Sequence, residues 1–402
     1  MTMIAHDRPG RRRLLAHFLL AACGVAFASV APAAEPPRGV TDTEIVIGTI
    51  TDLSGVTAVQ GVNNSQAIRM AFDEANERGG IHGRKIKYIV EDNQYQVPRA
   101  VQAMNKMLNL DNVFIMVGNG GTPMNNANMP AQIEHSVPNV FPLTAARSMY
   151  EPFNKMKFGQ FASYYDQMRA GVKYFVEQKG KQRVCIMYQD TDFGRDVLAG
   201  VKEQLAAMGK QLAGETAHKP TDTDFTAALT RLKEANCDLI ATGTIVRDTT
   251  LILSTARKMG WDVDFLGQFA SYDTAVAEAP GGIGEGYFAA TPGLIAYPDD
   301  PRPAVQEFAK RYKERFGIAP NFMGEMGYSA AQIVLLALDR AGRDLTVDSF
   351  VKALESIKDY HDIFGSPPLT LSVAQHHGSS AAWLAVVKNG RWVPAVDKPL
   401  SY

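Results

Sequence analysis

The segment Val113–Arg147 constrains the fold more than any other part of the sequence, because it predicts a complete βαβ unit. Val113–Val117 is a short apolar run rich in β-forming residues, and the glycine-rich sequence GNGG ends it. Thr122 and Pro123 then stand where a helix N-cap and the first helical residue belong. We expect that helix to end before a second strand, Val140–Leu143.

The same unit predicts a ligand site. Two parallel strands end at the same edge of a sheet, with a helix N-terminus between them, and ligands of open α/β sheets bind at that edge. Free N–H groups and the positive end of the helix dipole favour an anion there. We therefore predict that Gly121, Thr122 and the turn at Thr144 and Ala145 cradle a carboxylate. From this unit alone, an ordinary glycine-rich βα turn without a ligand stays open as the alternative.

The rest of the chain also alternates strands and helices. With 402 residues it is too long for one typical core, so we expect two α/β domains with parallel sheets and right-handed crossovers. A final hairpin is predicted around Asn389–Gly390. The other predicted strands are 44–50, 85–91, 184–188, 239–242, 265–268 and 287–290, and the other predicted helices are 62–77, one starting at 98, 194–208, 224–235, 248–259, 304–316, 323–341 and 347–357.

The N-terminus is predicted to be a targeting segment, residues 1–34, so the protein is expected in the periplasm. Several arginines precede the apolar run Leu14–Val30, and Ala31–Ala33 fits a signal-peptidase site. Cleavage before Cys23, as in lipoproteins, is the less favoured alternative. No other apolar run approaches the roughly 18 residues needed to cross a bilayer. A net charge of −1 gives no indication of a nucleic-acid or acidic-membrane partner.

Two cysteines follow the targeting segment, Cys185 and Cys237. Both lie at the edges of apolar strand-like runs, and buried free thiols are the expectation. A disulfide is the alternative in an oxidising compartment, but the sequence cannot give the geometry that it requires.

The motifs that would indicate an enzyme are missing from the sequence. There is no GxGxxG at the first βα turn, no GxxxxGK[ST], no GxSxG, no HExxH and no CxxC. The one histidine pair, His376–His377, lies among small polar residues and is expected to form a surface loop rather than a metal site. We expect a non-enzymatic protein without cofactor or metal.

Several stretches resemble the leucine/isoleucine/valine-type solute-binding proteins of bacterial ABC transporters. The shared stretches, in this order, are IVIGTITDLSG from residue 45, NERGGIHGR from residue 76, EDN from residue 91, PRAV from residue 98, the βαβ unit, DTDFG from residue 190 and GIGEGYF from residue 282. The resemblance implies the type I periplasmic binding protein fold, with two open, Rossmann-like parallel-sheet lobes joined by three hinge crossovers. It assigns residues 35–160 and 291–372 to the first lobe, and residues 161–290 and 373–402 to the second.

The resemblance also implies binding residues in the first lobe. The family's carboxylate-holding hydroxyl falls on Thr122, beside the Gly121 backbone. The turn that holds an amino acid head group falls on Leu143, Thr144 and Ala145. The family's threonine in that turn is replaced by Ala145, and the neighbouring Thr144 is its expected substitute.

The remaining family positions include further departures. A first-lobe aromatic residue falls on Gln60. In the second lobe, the aromatic lid falls on Phe193, which keeps its character, and a further pocket position falls near Ile245. The acid that pairs with the ligand's ammonium group falls on Phe269.

The loss of that acid determines the predicted ligand. An ammonium group buried without a carboxylate partner would cost several kcal/mol. We therefore expect a carboxylate ligand with an apolar or aromatic body and no α-amino group, such as a benzoate- or phenylpropenoate-type acid, in a pocket that Tyr95 and Tyr165 help to line. Because Asp248 or Asp273 could supply the acid that is missing at Phe269, a branched-chain amino acid is the alternative ligand.

The implied role is capture of the ligand between two lobes and delivery to the permease subunits of an ABC importer. The protein is expected to act as a monomer. A ligand-sensing protein is the alternative of another class. A sensory receptor would need a transmembrane helix after the binding domain, and the sequence ends at Tyr402 without one.

Overall fold

The structure, a computed structural model, describes residues 37–402. The predicted signal segment and Cys23 lie outside the described residues. The strands are β1 (Glu44–Thr51), β2 (Lys85–Asp92), β3 (Ile115–Val117), β4 (Asn139–Val140), β5 (Lys157–Phe158), β6 (Val184–Gln189), β7 (Gly214–His218), β8 (Leu239–Gly243), β9 (Asp264–Gly267), β10 (Phe288–Thr291), β11 (Trp383–Lys388) and β12 (Arg391–Pro394). The helices are α1 (Ala58–Glu77), α2 (Val97–Asn109), α3 (Thr122–Glu134), α4 (Tyr164–Gln178), α5 (Asp192–Ala207), α6 (Thr226–Glu234), α7 (Val246–Lys258), α8 (Thr274–Ala277), α9 (Pro303–Phe316), α10 (Phe322–Ala341) and α11 (Val347–Glu355).

These elements form two sheets. The first has the strand order β2-β1-β3-β4-β5 and is parallel throughout. The second has the order β12-β11-β10-β9-β8-β6-β7 and is parallel except for the pairings that involve β11 and β12. We call the first sheet with α1–α3 and α9–α11 the first lobe, and the second sheet with α4–α8 the second lobe. The predicted α/β class with two mostly parallel sheets is confirmed.

Strand β1 shows how the sequence builds a sheet that is covered on both faces. Ile45 and Ile47 belong to a core cluster that includes apolar residues of α1 and α10, whereas Val46 and Ile50 belong to a cluster that includes residues of α2. Because successive side chains of a strand point to opposite faces, a continuous apolar run buries both. The strand ends at Thr51, at the sheet edge where the helices begin.

The predicted βαβ unit is present as β3, α3 and β4, with a different start to the helix. Gly121 is the N-cap, with φ of +83°, and Thr122 is the first helical residue and makes no side-chain capping bond. A left-handed backbone at this turn suits glycine. Strand β4 is shorter than predicted, and Leu143 joins the sheet edge only through an isolated bridge to Gly120.

The C-terminal hairpin was predicted correctly, since β11 and β12 pair on either side of Asn389–Gly390. It adds two antiparallel strands to a sheet that we expected to be parallel. Four elements, β5, α4, β7 and α8, were not predicted. The segment 214–218 is GETAH, which lacks the apolar run that marks the other strands, because β7 lies at the sheet edge.

The chain passes between the two lobes three times, after β5, after β10 and after α11. The histidine pair lies at these connections, so the prediction of a surface loop was wrong. His376 is buried, its ring stacks on Phe158 with centroids 3.9 Å apart, and Gly159 N–H donates to its carbonyl oxygen. His377 stacks on Tyr150 and pairs by a bridge with Gly159.

Cys185 and Cys237 form a disulfide, so the expectation of free thiols was wrong. Cys185 lies in β6, and Cys237 precedes β8, the parallel neighbour of β6. The strand pairing therefore brings the two Cα atoms to 5.8 Å, a normal separation for a disulfide. Within residues 37–402, no helix is long and apolar enough to span a membrane.

Candidate ligand-binding cleft

A cavity with an empty volume of about 430 Å³ lies between the two lobes. Its walls carry hydroxyl, amide, aliphatic and aromatic groups, and the described residues that form them include no aspartate, glutamate, lysine, arginine or histidine. The lining residues are Thr51, Thr57, Gln60, Gly61, Tyr95, Gly120, Gly121, Thr122, Leu143, Tyr164, Phe193, Ile245, Phe269, Ala270 and Met323. We call this cavity the cleft. A neutral wall of this kind offers hydrogen bonds but no ionic partner.

The first-lobe wall is built where β1 and β3 end and α3 begins. The Thr122 side chain, 2% exposed, lies at the N-terminus of α3, where free N–H groups and the helix dipole favour negative charge. Its Oγ1 lies 2.6 Å from Oγ1 of Thr144, which is itself buried behind the lining. The two hydroxyls therefore form a chain in which Thr144 orients the group on the cleft wall.

Thr51, at the end of β1, adds a second hydroxyl to this wall. Its Oγ1 is buried and makes no hydrogen bond among the described residues. A Cβ added to Gly120 would lie 2.4 Å from this oxygen, and one added to Gly61 would lie 2.7 Å from it. Both distances are too short for a carbon–oxygen contact, so glycine at these two positions keeps space around an unpaired donor. Sequence analysis missed Thr51, although its place at a strand end was a usable signal.

Tyr95 reaches the cleft from an unusual turn. Its φ is +54°, which is uncommon for an aromatic residue, and the side chain of Asn93 holds the turn by accepting from Tyr95 N–H at 2.8 Å. The Tyr95 hydroxyl donates to Oε1 of Gln189 in the second lobe at 3.0 Å. This strained turn therefore fixes a contact between the two lobes at the edge of the cleft.

The second-lobe wall is mainly aromatic. Phe193 lies in the first turn of α5 and meets the ring of Tyr164 edge-on, with centroids 4.9 Å apart. Phe269 follows β9, is 2% exposed and packs against Phe161 with centroids 4.7 Å apart. Burial raises the pKa of Tyr164 to about 12, so its hydroxyl stays neutral at physiological pH. Ile245, the N-cap residue of α7, completes this apolar side.

Other direct hydrogen bonds connect the lobes around the cleft. Gln60 donates through Nε2 to the carbonyl oxygen of Ala270 at 3.0 Å. On α5, Asp192 accepts from Asn126 at 2.8 Å and Asp196 accepts from Arg147 at 2.9 Å. The structure therefore has the two lobes in direct contact at several points.

Eight of the eleven predicted binding residues line the cleft: Gln60, Tyr95, Gly121, Thr122, Leu143, Phe193, Ile245 and Phe269. Thr144 lies directly behind Thr122, and Ala145 is buried next to it and accepts a hydrogen bond from Tyr164 N–H.

Tyr165 does not line the cleft. Its hydroxyl donates to Glu203 at 2.5 Å and the Arg147 guanidinium covers its ring. Consecutive helix residues point in different directions, and Tyr164 takes the place predicted for Tyr165. Sequence analysis also missed Thr51, Thr57, Gly61, Gly120, Ala270 and Met323.

The two acids considered as alternative ammonium partners are absent from the cleft wall. Asp248 is fully buried, and it binds Arg247 through Oδ1 at 2.6 Å and His218 through Oδ2 at 3.1 Å. Asp273 caps α8 and accepts from Nδ2 of Asn321 at 2.7 Å. Both carboxylates are therefore already engaged within the protein.

A model of the periplasmic binding protein family matches residues 44–391. The chain belongs to the periplasmic binding protein family. This match confirms the resemblance seen in the sequence. It supports the conclusion that the protein is a solute-binding protein of ABC transporters. Members of this family bind solutes for transport, which agrees with the non-enzymatic function expected from the sequence.

Several proteins are similar to this periplasmic binding protein. A leucine-, isoleucine-, valine-, threonine- and alanine-binding protein of Pseudomonas aeruginosa is 23% identical over 318 residues, which cover 79% of this chain and 83% of that protein. A branched-chain amino acid ABC transporter protein from Thermus thermophilus with bound valine has a TM-score of 0.82 at 19% identity and covers 90% of this chain and 98% of that one.

A solute-binding protein from R. palustris in complex with benzoate has a TM-score of 0.78 at 16% identity, covering 89% of this chain and 98% of that one. At these identities, the two structural matches show a shared fold. One is bound to an amino acid and the other to an acid without an amino group.

Proposed function

We propose that this protein captures a small monocarboxylate with an apolar or aromatic body and no α-amino group, and delivers it to an ABC importer. The observation that carries the proposal is the composition of the cleft wall, which has three threonines, the N-terminus of α3 and, among residues 37–402, no acidic side chain. An ammonium group closed into this cleft would have no carboxylate partner, whereas a carboxylate would meet hydrogen-bond donors.

Binding is expected to start on the first lobe. The ligand carboxylate would accept hydrogen bonds from Thr122, Thr51 and the first turn of α3, and the body would lie against Phe193 and Phe269. Binding then favours the closed form, because only in that form does the ligand contact both lobes and do the two lobes contact each other. We further propose that the closed form is the one that the permease recognises, and that the protein is exported by its N-terminal segment and acts as a monomer.

A branched-chain amino acid is the second candidate ligand, because the Pseudomonas aeruginosa relative is a binding protein for such amino acids. Its ammonium group would have to be held by neutral acceptors alone, such as the hydroxyls of Thr51 and Thr57 or backbone carbonyl oxygens. That arrangement is weaker than an ion pair in a closed cleft.

A thermal-shift screen of the protein, purified after export of the full-length chain, separates the two candidates. A ligand that binds only the folded state raises the melting temperature. We expect benzoate, phenylpropenoate or short aliphatic carboxylates to raise it and leucine and valine to leave it unchanged. A rise with leucine or valine alone would overturn the proposed ligand class. Toluene and benzamide serve as controls for the contribution of the carboxylate.

A further inference from the structure

A second cavity, with an empty volume of about 370 Å³, lies at the connections between the lobes. Residues from all three connections line it: Phe161 after β5, Pro292 after β10 and Ser379 before β11. We call it the hinge cavity. The other lining residues are Gln160, Met326, Ser329, Ile333, Tyr360, Asp362, Ser366, Pro367 and Leu369.

The hinge cavity and the cleft lie along one helix and are separated by aromatic rings. Met323 of α10 lines the cleft, and Met326, one turn further along the same face, lines the hinge cavity. Phe269 lines the cleft and Phe161 lines the hinge cavity, and their ring centroids are 4.7 Å apart. The two rings are tilted by 48° to each other, and together they form a wall between the two cavities.

The hinge cavity contains polar groups, unlike the apolar second-lobe wall of the cleft. The Tyr360 hydroxyl makes no hydrogen bond among the described residues, and burial raises its pKa to about 12, so it is a neutral donor. Gln160 donates to Ser329 at a long 3.3 Å. Asp362 accepts two backbone N–H groups through Oδ1 and gives the cavity a negative charge. An uncharged hydrogen-bonding group suits these partners, whereas a second carboxylate would be repelled by Asp362.

We propose that the hinge cavity is a second subsite for the same ligand, which accepts the far, uncharged polar end of an elongated monocarboxylate, and that Phe161 determines how long that ligand can be. Phe161 is only partly buried. In this proposal, rotation of its ring away from Phe269 joins the two cavities. This inference rests on the proposed function, since it takes the carboxylate to be held at Thr122. It deepens that function by adding a ligand length and a preferred far-end group.

The test measures affinities by calorimetry for benzoate and a series of phenylalkanoates of increasing chain length, each unsubstituted, with a ring hydroxyl or with a ring carboxylate at the far end. We expect that, above a certain chain length, the ligand with the ring hydroxyl binds at least tenfold more tightly than the ligand with the ring carboxylate. Phe161→Ala should strengthen binding of those long ligands severalfold relative to benzoate. Ser329→Leu, which fills the hinge cavity from α10, should weaken them about tenfold and leave benzoate unchanged.

Tyr360→Phe supplies the matched control, because it removes one hydroxyl and keeps the ring. It should abolish the preference for the hydroxyl form and leave unsubstituted ligands unaffected. If all three variants show the same dependence on ligand length and far-end group as the unaltered protein, the inference is overturned while binding of benzoate still upholds the proposed function. If no carboxylate of any length binds the unaltered protein, the proposed function itself fails. Melting temperatures without ligand report whether each variant is folded.

Discussion

Oγ1 of Thr144 lies 2.6 Å from Oγ1 of Thr122, and only Thr122 faces the cleft. Either hydroxyl can be the donor of this bond; Thr144 Oγ1 also accepts from the N–H of Ala146 at 3.4 Å, and it can donate its own hydrogen to Thr122. The Thr122 hydrogen is then left for a ligand. A bound carboxylate selects this direction of the hydrogen-bond chain, because it can only accept a hydrogen from the Thr122 hydroxyl.

Substitution of Thr122 by alanine tests this donor. We expect Thr122→Ala to weaken a carboxylate ligand by about 1–3 kcal/mol through the lost charge-assisted hydrogen bond. Thr122→Ser keeps the hydroxyl and should retain most of the affinity, and Thr144→Val should have an intermediate effect because it only removes the orienting partner. The measurement is calorimetric titration with the ligand found by the thermal-shift screen. Equal affinities of Thr122→Ala and the unaltered protein would contradict the carboxylate cradle.

Substitutions of Phe269 test whether the cleft lacks a partner for the ammonium group of a ligand. Phe269→Glu places a carboxylate at the position where the family's acid falls, so it should weaken an aromatic acid at least tenfold by charge repulsion and loss of ring packing. Phe269→Leu removes the ring without adding charge and separates the two causes. Stronger binding of the acid by Phe269→Glu would argue against the apolar pocket. A gain of leucine or valine binding by this variant would support the alignment of Phe269 with the lost acid.

The parts of the fold that depend on neighbours in sequence were predictable. The βαβ unit, most helices and the hairpin at Asn389–Gly390 follow from apolar periodicity and turn residues, which act locally. Thr122 and Gly121 followed from that unit because strand ends and helix starts also define the cleft. The edge strand β7 and the short β5 were missed because the sheet, not the local sequence, holds them in place.

The errors at the site and the hinge come from contacts between distant segments. The choice between Tyr164 and Tyr165 depends on the rotation of α4 against α5, which no local pattern gives. Thr51 enters the site because β1 lies beside β3. The histidines at 376 and 377 sit in a polar stretch, yet pairing with the connection at Gly159 buries His376.

The disulfide gives a prediction for stability. It closes a loop between residues 52 apart in sequence, and it is expected to restrict the unfolded chain. Replacing both Cys185 and Cys237 by alanine should lower the free energy of unfolding by about 2–4 kcal/mol. Urea unfolding of the oxidised protein, the reduced protein and the double variant measures this, with the reduced unaltered protein as the matched control. If reduction leaves the midpoint unchanged, the two cysteines are not paired in the exported protein.

The buried carboxyl group of Asp273 leads to a prediction of how the free energy of unfolding depends on pH. Its carboxylate is fully buried between Ala275 N–H and Asn321, and burial raises its pKa to about 6, against about 3.9 in an unfolded chain. The folded state therefore holds a proton between pH 4 and 6 that the unfolded state has already lost. The stability from this group is fully present below pH 4 and is lost as the pH rises through 6, an effect of about 3 kcal/mol.

Asp273→Asn isolates that effect because it cannot titrate. Any uniform cost of the substitution, such as a poorer partner for Asn321, shifts stability equally at every pH. Glu325, whose pKa burial also raises, is common to both proteins and cancels in the comparison. Free energies of unfolding, measured by urea titration at several pH values from 4 to 7.5, should thus fall more steeply with rising pH for the unaltered protein than for Asp273→Asn. Parallel pH profiles would mean that the Asp273 carboxylate titrates alike in the folded and unfolded chains.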